Sequence, residues 1–120
     1  MNYFFDSYAI LEIIKGNKNY SKFQDETIVS TVLNISEIYY ALLLKFGEEN
    51  SINLINKINF KIIEIPKEIA IEASIFRYKN KKLDLSYIDC IGYILSLKNN
   101  IKFLTGDRQF ETMDNVEFVK

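Results

Sequence analysis

Histidine and tryptophan are absent, and the 120 residues include one cysteine, one proline and four glycines. Without histidine there is no Ser-His-Asp triad, no Cys-His pair and no imidazole general base. Zinc is disfavoured as well, because one cysteine and no histidine do not supply its usual nitrogen and sulfur ligands. The lone Cys90 permits no intrachain disulfide, which suits a reducing cytosol. So few prolines and glycines, beside 48% hydrophobic and 14% aromatic residues, argue against disorder and supply an ample core. A formal net charge of −1 and a pI of 5.5 create no basic field of the kind that marks a purely electrostatic DNA binder. No apolar run approaches the length of a membrane span, so no membrane association is expected. The start, "MNYFFDSYAI", lacks a charged n-region and a small-residue cleavage site, so no signal peptide is expected and the location reads as cytoplasmic.

What is plentiful is carboxylate, with 16 Asp and Glu. Any metal chemistry here runs on oxygen ligands. The question is whether the pattern of the chain brings some of them together.

Apolar runs of two kinds alternate. "NYFF" at 2–5, "TIVST" at 27–31, "FKIIEI" at 60–65, "IKFLT" at 101–105 and the closing "VEFVK" read as strands. Between them lie helical stripes at 7–17, 34–46, 48–59, 66–79 and 86–100, with short helices or turns at 18–25 and 107–113. Gly16 and Asn17 make a C-cap for the first helix, and Pro66 suits the opening position of the fourth. Strands alternating with helices predict an α/β fold with a mainly parallel sheet flanked by helices on both faces. Residues 1–120 read as one domain, without linker, repeat or low-complexity tract.

Four acids fall where such a sheet gathers ligands, at the carboxyl ends of its strands. Asp6 follows the first strand directly, and Asp107 follows "IKFLT" by one glycine. Glu37 in "NISEIYYALL" and Asp89 in "SYIDCIGYILS" sit near the starts of apolar helices, with no basic residue three or four positions away. A lone carboxylate buried on such a helix needs a partner. Singly, each acid reads as a helix cap: Asp6 and Asp107 as N-caps, Asn34-x-x-Glu37 and Ser86-x-x-Asp89 as capping boxes. As a set they would repel one another, and a hard cation such as Mg²⁺ or Mn²⁺ removes that cost.

The segments "FDSYAI", "SEIYYALL", "LSYIDCIGYILSL" and "FLTGDRQF" resemble the four acidic motifs of the PIN-domain family, in its order and spacing, nearest its VapC-like branch of toxin ribonucleases. The resemblance runs from the first strand to "VEFVK". It places the family's catalytic and metal-binding acids on Asp6, Glu37, Asp89 and Asp107, with Ser7 and Thr105 as supporting hydroxyls. Where many relatives have a further acid, this chain has Gln109. The family implies a PIN-like three-layer fold with strand order 3-2-1-4-5, and cleavage of RNA dependent on Mg²⁺ or Mn²⁺. It also implies 5′-phosphate and 3′-hydroxyl products, frequent homodimers and, for a toxin, a cognate antitoxin protein over the acidic cleft.

RNA requires positive groups. Arg77, Lys79, Lys81 and Lys82 precede Ser86, with Lys98, Lys102 and Arg108 further on. They read equally well as phosphate contacts or as a solvated helix end. Tyr39, Tyr40, Tyr87 and Tyr93 read as core or interface residues with base stacking as the alternative. An aspartyl-nucleophile phosphatase needs an acid where Tyr8 stands, and a phospho-receiver domain needs an acid pair that "NYFFDSY" lacks. A non-catalytic RNA- or protein-binding scaffold, or an RNA-processing nuclease outside a toxin pair, stays open.

Overall fold

The computed structural model describes residues 2–120. The elements run β1 (Tyr3–Phe5), α1 (Ser7–Lys15), a 3₁₀ turn (Lys18–Phe23), β2 (Ile28–Ser30), α2 (Val32–Asn56) and β3 (Phe60–Ile62). Then follow α3 (Lys67–Lys79), α4 (Tyr87–Lys98), β4 (Lys102–Thr105), a second 3₁₀ turn (Arg108–Phe110) and β5 (Val116–Phe118). The five strands form one sheet in the order β3-β2-β1-β4-β5, every pairing parallel.

Successive strand residues point to opposite faces, and both faces are covered. Phe4, Val29 and Phe103 pack with Ala73, Tyr93 and Leu95 under α3 and α4. Phe5, Ile28 and Leu104 pack with Ala9, Ile10, Phe23 and Ile38 under α1 and α2. The central strands β1, β2 and β4 are therefore buried on both faces over most of their length, whereas the outer strands β3 and β5 carry Lys61 and Glu117 and are only partly covered. Gly92 lets α4 sit directly on the sheet, since a Cβ there would come within 2.7 Å of the Phe4 ring and 3.1 Å of Phe103.

Local signals set the boundaries. Gly16 ends α1 in the left-handed conformation (φ 78°) and donates to the Glu12 and Ile13 carbonyls. Gly47 (φ 80°, ψ 174°) kinks α2 where the sequence suggests two helices. Pro66 is the residue before α3 rather than its first residue, with ψ 157°. β3 is shorter than "FKIIEI" because its pairing with β2 ends at Ser30 and Ile62, beyond which the chain turns toward Pro66. Among the described residues no helix is long and apolar enough to cross a membrane.

In this strand order the chain runs to one side of β1 through β2 and to the other through β4. A crevice therefore opens at the carboxyl ends of β1 and β4, the place where such sheets bind ligands.

Candidate functional site

Asp6 occupies that crevice. It leaves β1 in extended conformation and caps α1, its Oδ1 accepting the Ala9 N–H at 2.8 Å. It is 2% exposed. The Thr105 side chain, at the end of β4, stands beside the Asp6 carboxylate and opposes the rise in its pKa. The Thr105 hydroxyl oxygen accepts the Asp107 N–H at 3.0 Å, so Thr105 stands between the two acids. Asp107 in turn caps the second 3₁₀ turn by accepting the Gln109 N–H at 3.0 Å.

Asp89 enters from α4. Ser86 Oγ accepts its N–H at 3.0 Å while Asp89 Oδ2 accepts the Ser86 N–H at 3.4 Å, a complete capping box. Glu37 comes from the second turn of α2 and is exposed rather than buried. The expected capping box at Asn34 does not form, because α2 begins earlier and Thr31 is its cap. Asn34 is instead buried, and its amide donates to Ser7 Oγ at 3.0 Å while its Oδ1 accepts the Thr31 hydroxyl at 2.7 Å. This chain of hydrogen bonds fixes the start of α1 against the start of α2, and so fixes Asp6 relative to Glu37.

Asp6, Glu37, Asp89 and Asp107 line one cleft of about 520 Å³, together with Ser7, Tyr8, Ser86, Arg108 and Lys120. Their charges feel each other. Burial pushes the Asp6 carboxyl up to about 7, with Asp89 and Asp107 adding to the rise and Thr105 and the hydrogen bond from Ala9 opposing it. Burial also raises Asp89, against the pull of its bonds to Ser86, and Asp107 and Glu37 raise it further. Among the described residues, none of the three ion pairs includes any of these four acids.

An all-oxygen donor set whose acids form no ion pair among the described residues is the chemistry of a hard divalent ion. Among the described residues no three Asp, Glu or Cys side chains close into a ready ligand cage.

The cations of the sequence reading separate. Arg108 lines the acidic cleft and pairs with Glu111 at 3.4 Å. Arg77 and Lys81 line an adjoining cleft. Lys79 lies elsewhere, beside Glu72, Phe76 and Ile94. Lys82 is exposed on the loop after α3. Lys98 pairs with Glu72 at 3.2 Å at the far end of α4, and Lys102 begins β4, at the sheet edge opposite the acids. Of the tyrosines, Tyr93 is buried, and Tyr40 and Tyr87 are well exposed.

Three contributors carry no local sequence signal. Lys120 reaches the cleft from the end of the chain, its Nζ donating to the Gly106 carbonyl at 3.0 Å and lying 4.8 Å from the Tyr8 ring centroid. Tyr8 forms part of the wall and packs so closely on Gly106 that an added Cβ would overlap its ring. Gln109 holds the loop before α4: its Oε1 accepts the Asp84 N–H, and its Nε2 donates to the Asp84 carbonyl at 2.7 Å.

No curated protein matches the sequence. Among solved structures, VapC20 of Mycobacterium tuberculosis, described as a sarcin-ricin loop cleaving toxin, superposes with a TM-score of 0.81 at 12% identity, over 99% of this chain and 100% of that one. A chain of a toxin-antitoxin complex from Klebsiella pneumoniae gives 0.75 at 16% identity, over 98% and 96%. A chain of VapBC2 from Rickettsia felis, bound to a DNA fragment from its promoter, gives 0.78 at 16%, over the full length of both. At these identities the likeness is one of fold. The model of the PIN domain matches residues 3–116, nearly the whole sequence. With that match, the 3-2-1-4-5 parallel sheet and the acids at its switch point, the chain belongs to the PIN domain family.

Proposed function

We propose that this chain is a divalent-metal-dependent endoribonuclease and the toxin of a VapBC-type toxin–antitoxin pair. One observation carries the reading: four carboxylates from four separate segments line one cleft at the switch point of the sheet, and none of them has a basic ion-pair partner among the described residues. Asp6, Glu37, Asp89 and Asp107 would hold Mg²⁺ or Mn²⁺, directly or through its waters. When bound, such an ion supplies an acidified water and offsets charge on the phosphoryl oxygens. The chain's own groups do the positioning. Thr105 holds Asp107 beside Asp6, and the Ser86 box orients Asp89. The starts of α1 and α4 present their positive dipole ends to the phosphate. Arg108 and Lys120 stand in the wall to receive its charge.

Two apolar surfaces support protein partners. Leu33, Tyr40 and Leu44 are exposed at helical spacing along α2, on the side that carries Glu37. That stripe suits an antitoxin segment lying across the cleft, with an Arg paired to the carboxylates in place of metal. On α3, Ile71 and Ile75 are exposed and suit a homodimer contact.

Calorimetric titration with Mn²⁺ tests the site. Saturable binding by the wild type that is lost in Asp89→Asn is expected, since Asn keeps the capping oxygen but loses the charge. Equal binding by both proteins overturns the site. A second reading, a non-catalytic scaffold, draws on the capping bonds of Asp6, Asp89 and Asp107, which give each a structural task without metal. RNA binding with no Mn²⁺ uptake, even beside a phosphorothioate RNA, selects the scaffold.

A further inference from the structure

We propose that the cleft between the end of α3 and the start of α4 is a nucleobase subsite, holding one base and one phosphate of a single RNA strand beside the carboxylate cleft. This rests on the ribonuclease reading and goes beyond it by placing a specific part of the substrate.

The cleft has a volume of about 460 Å³, and its walls include Arg77, Tyr78, Lys81, Asp84, Leu85 and Tyr87. Two tyrosine rings stand in it largely uncovered, Tyr78 at 70% and Tyr87 at 59% exposure. Each carries a cation: the Arg77 guanidinium carbon is 4.3 Å from the Tyr87 ring centroid, and Lys81 Nζ is 5.0 Å from that of Tyr78. Arg77 is locked in place because its Nε donates to the Leu85 carbonyl at 2.8 Å. Among the described residues neither Arg77 nor Lys81 enters an ion pair.

Exposed rings topped by unpaired cations match a nucleotide in both of its parts. A base stacks on an aromatic ring or a guanidinium plane, and the cations take the adjoining phosphate. An acidic peptide would use the cations and leave the rings idle. Asp84 in the wall also limits the anionic charge the cleft can accept, in keeping with one phosphate rather than a dense cluster. The floor is firm, since Gln109 clamps Asp84 through both backbone groups.

Chain continuity sets the register. Tyr87 lines this cleft, and its neighbour Ser86 lines the carboxylate cleft. The two clefts therefore meet at the first turn of α4. A strand with its scissile phosphate at the acids runs over Ser86 and lays a neighbouring nucleotide against Tyr87. Stacking reads no base edge, so the subsite favours unpaired over paired RNA and is tolerant of sequence.

The test uses single-stranded oligoribonucleotides with 2-aminopurine at successive positions, in EDTA so that nothing is cleaved. Wild-type protein should quench the probe at one position. Tyr87→Ala should abolish the quench and weaken binding about tenfold, while Tyr87→Phe keeps both. Lys81→Ala should weaken binding and reduce its salt dependence. Tyr87→Ala binding and quenching like wild type overturns the subsite. If that variant instead changes the oligomeric state in light scattering and leaves RNA affinity alone, the cleft is a contact between copies and the proposal falls. Metal-dependent cleavage by the wild type, measured separately, keeps the outcomes apart: cleavage with an unaffected Tyr87→Ala KM removes the subsite alone. Absence of both binding and cleavage removes the ribonuclease reading with it.

Discussion

Replacing Asp6 by Asn should make the metal-free protein more stable, and only above mildly acidic pH. The wild-type carboxyl is raised from an ordinary 3.8 to about 7, chiefly by burial. Below pH 4 both the folded and the unfolded chain hold the proton, and the group costs nothing. As pH rises, the unfolded chain ionises first, so stability is lost progressively and the loss is complete above about pH 7. The distance between the two values corresponds to about 4 kcal/mol as an upper bound, and relaxation and water entry should leave about 2 kcal/mol. Asn keeps the oxygen that caps α1 and removes the ionisation. At about 4 °C per kcal/mol for a chain of this size, Asp6→Asn should melt about 8 °C above wild type at pH 8 in EDTA. Near pH 4 the two should melt together. Circular dichroism melts at four pH values suffice. A variant that is less stable at pH 8, or a difference that does not change with pH, would refute the idea that like charges and burial strain this site.

Other perturbations separate the supporting parts. Gly92→Ala should cost about 1–3 kcal/mol in urea unfolding, because the Phe4 ring it strikes is fully buried and stacked on Phe103; a neutral result contradicts the close seating of α4. Asn34→Leu leaves the Ser7 and Thr31 hydroxyls without their shared partner and should cost about 1–3 kcal/mol, with Mn²⁺ affinity falling as Asp6 loses its register with Glu37; unchanged affinity removes the network from the site. Gln109→Glu replaces the amide donor facing the Asp84 carbonyl by an acceptor, so hydrogen exchange across residues 80–86 should quicken roughly tenfold. Unchanged protection there means the clamp does not hold the loop.

Much of this was legible in the sequence because it depends on local order. Continuous apolar runs alternating with helical stripes give a parallel sheet, and a parallel sheet sends whatever follows each strand to one edge. That places Asp6 and Asp107 without any knowledge of contacts. Capping chemistry identified Ser86 with Asp89 for the same reason. Glu37 shows the limit. Its apolar neighbours suggest burial, yet it is exposed, because the apolar face of α2 is split between the core at Ile38 and Leu42 and an open stripe at Tyr40 and Leu44. Asn34 read as a cap because Thr31, the residue that caps, also lies in a strand-like run. Lys120 and Gln109 act across long stretches of chain, on Gly106 and Asp84, and nothing near them in sequence announces a partner. The spread of the basic residues was equally invisible: Lys98 and Lys102 look close to Asp89 in sequence, but α4 carries the chain to the far edge of the sheet before Lys102 begins β4.

The most direct measurement is cleavage of a labelled RNA pool by the wild type with Mn²⁺, with EDTA, and by Asp6→Asn with Mn²⁺, reading the chemistry of the new ends. A carboxylate-held metal site predicts cuts only in the first reaction, leaving 5′-phosphate and 3′-hydroxyl ends. Cuts that persist in EDTA and in Asp6→Asn would contradict it, as would an inert wild type that binds both Mn²⁺ and RNA.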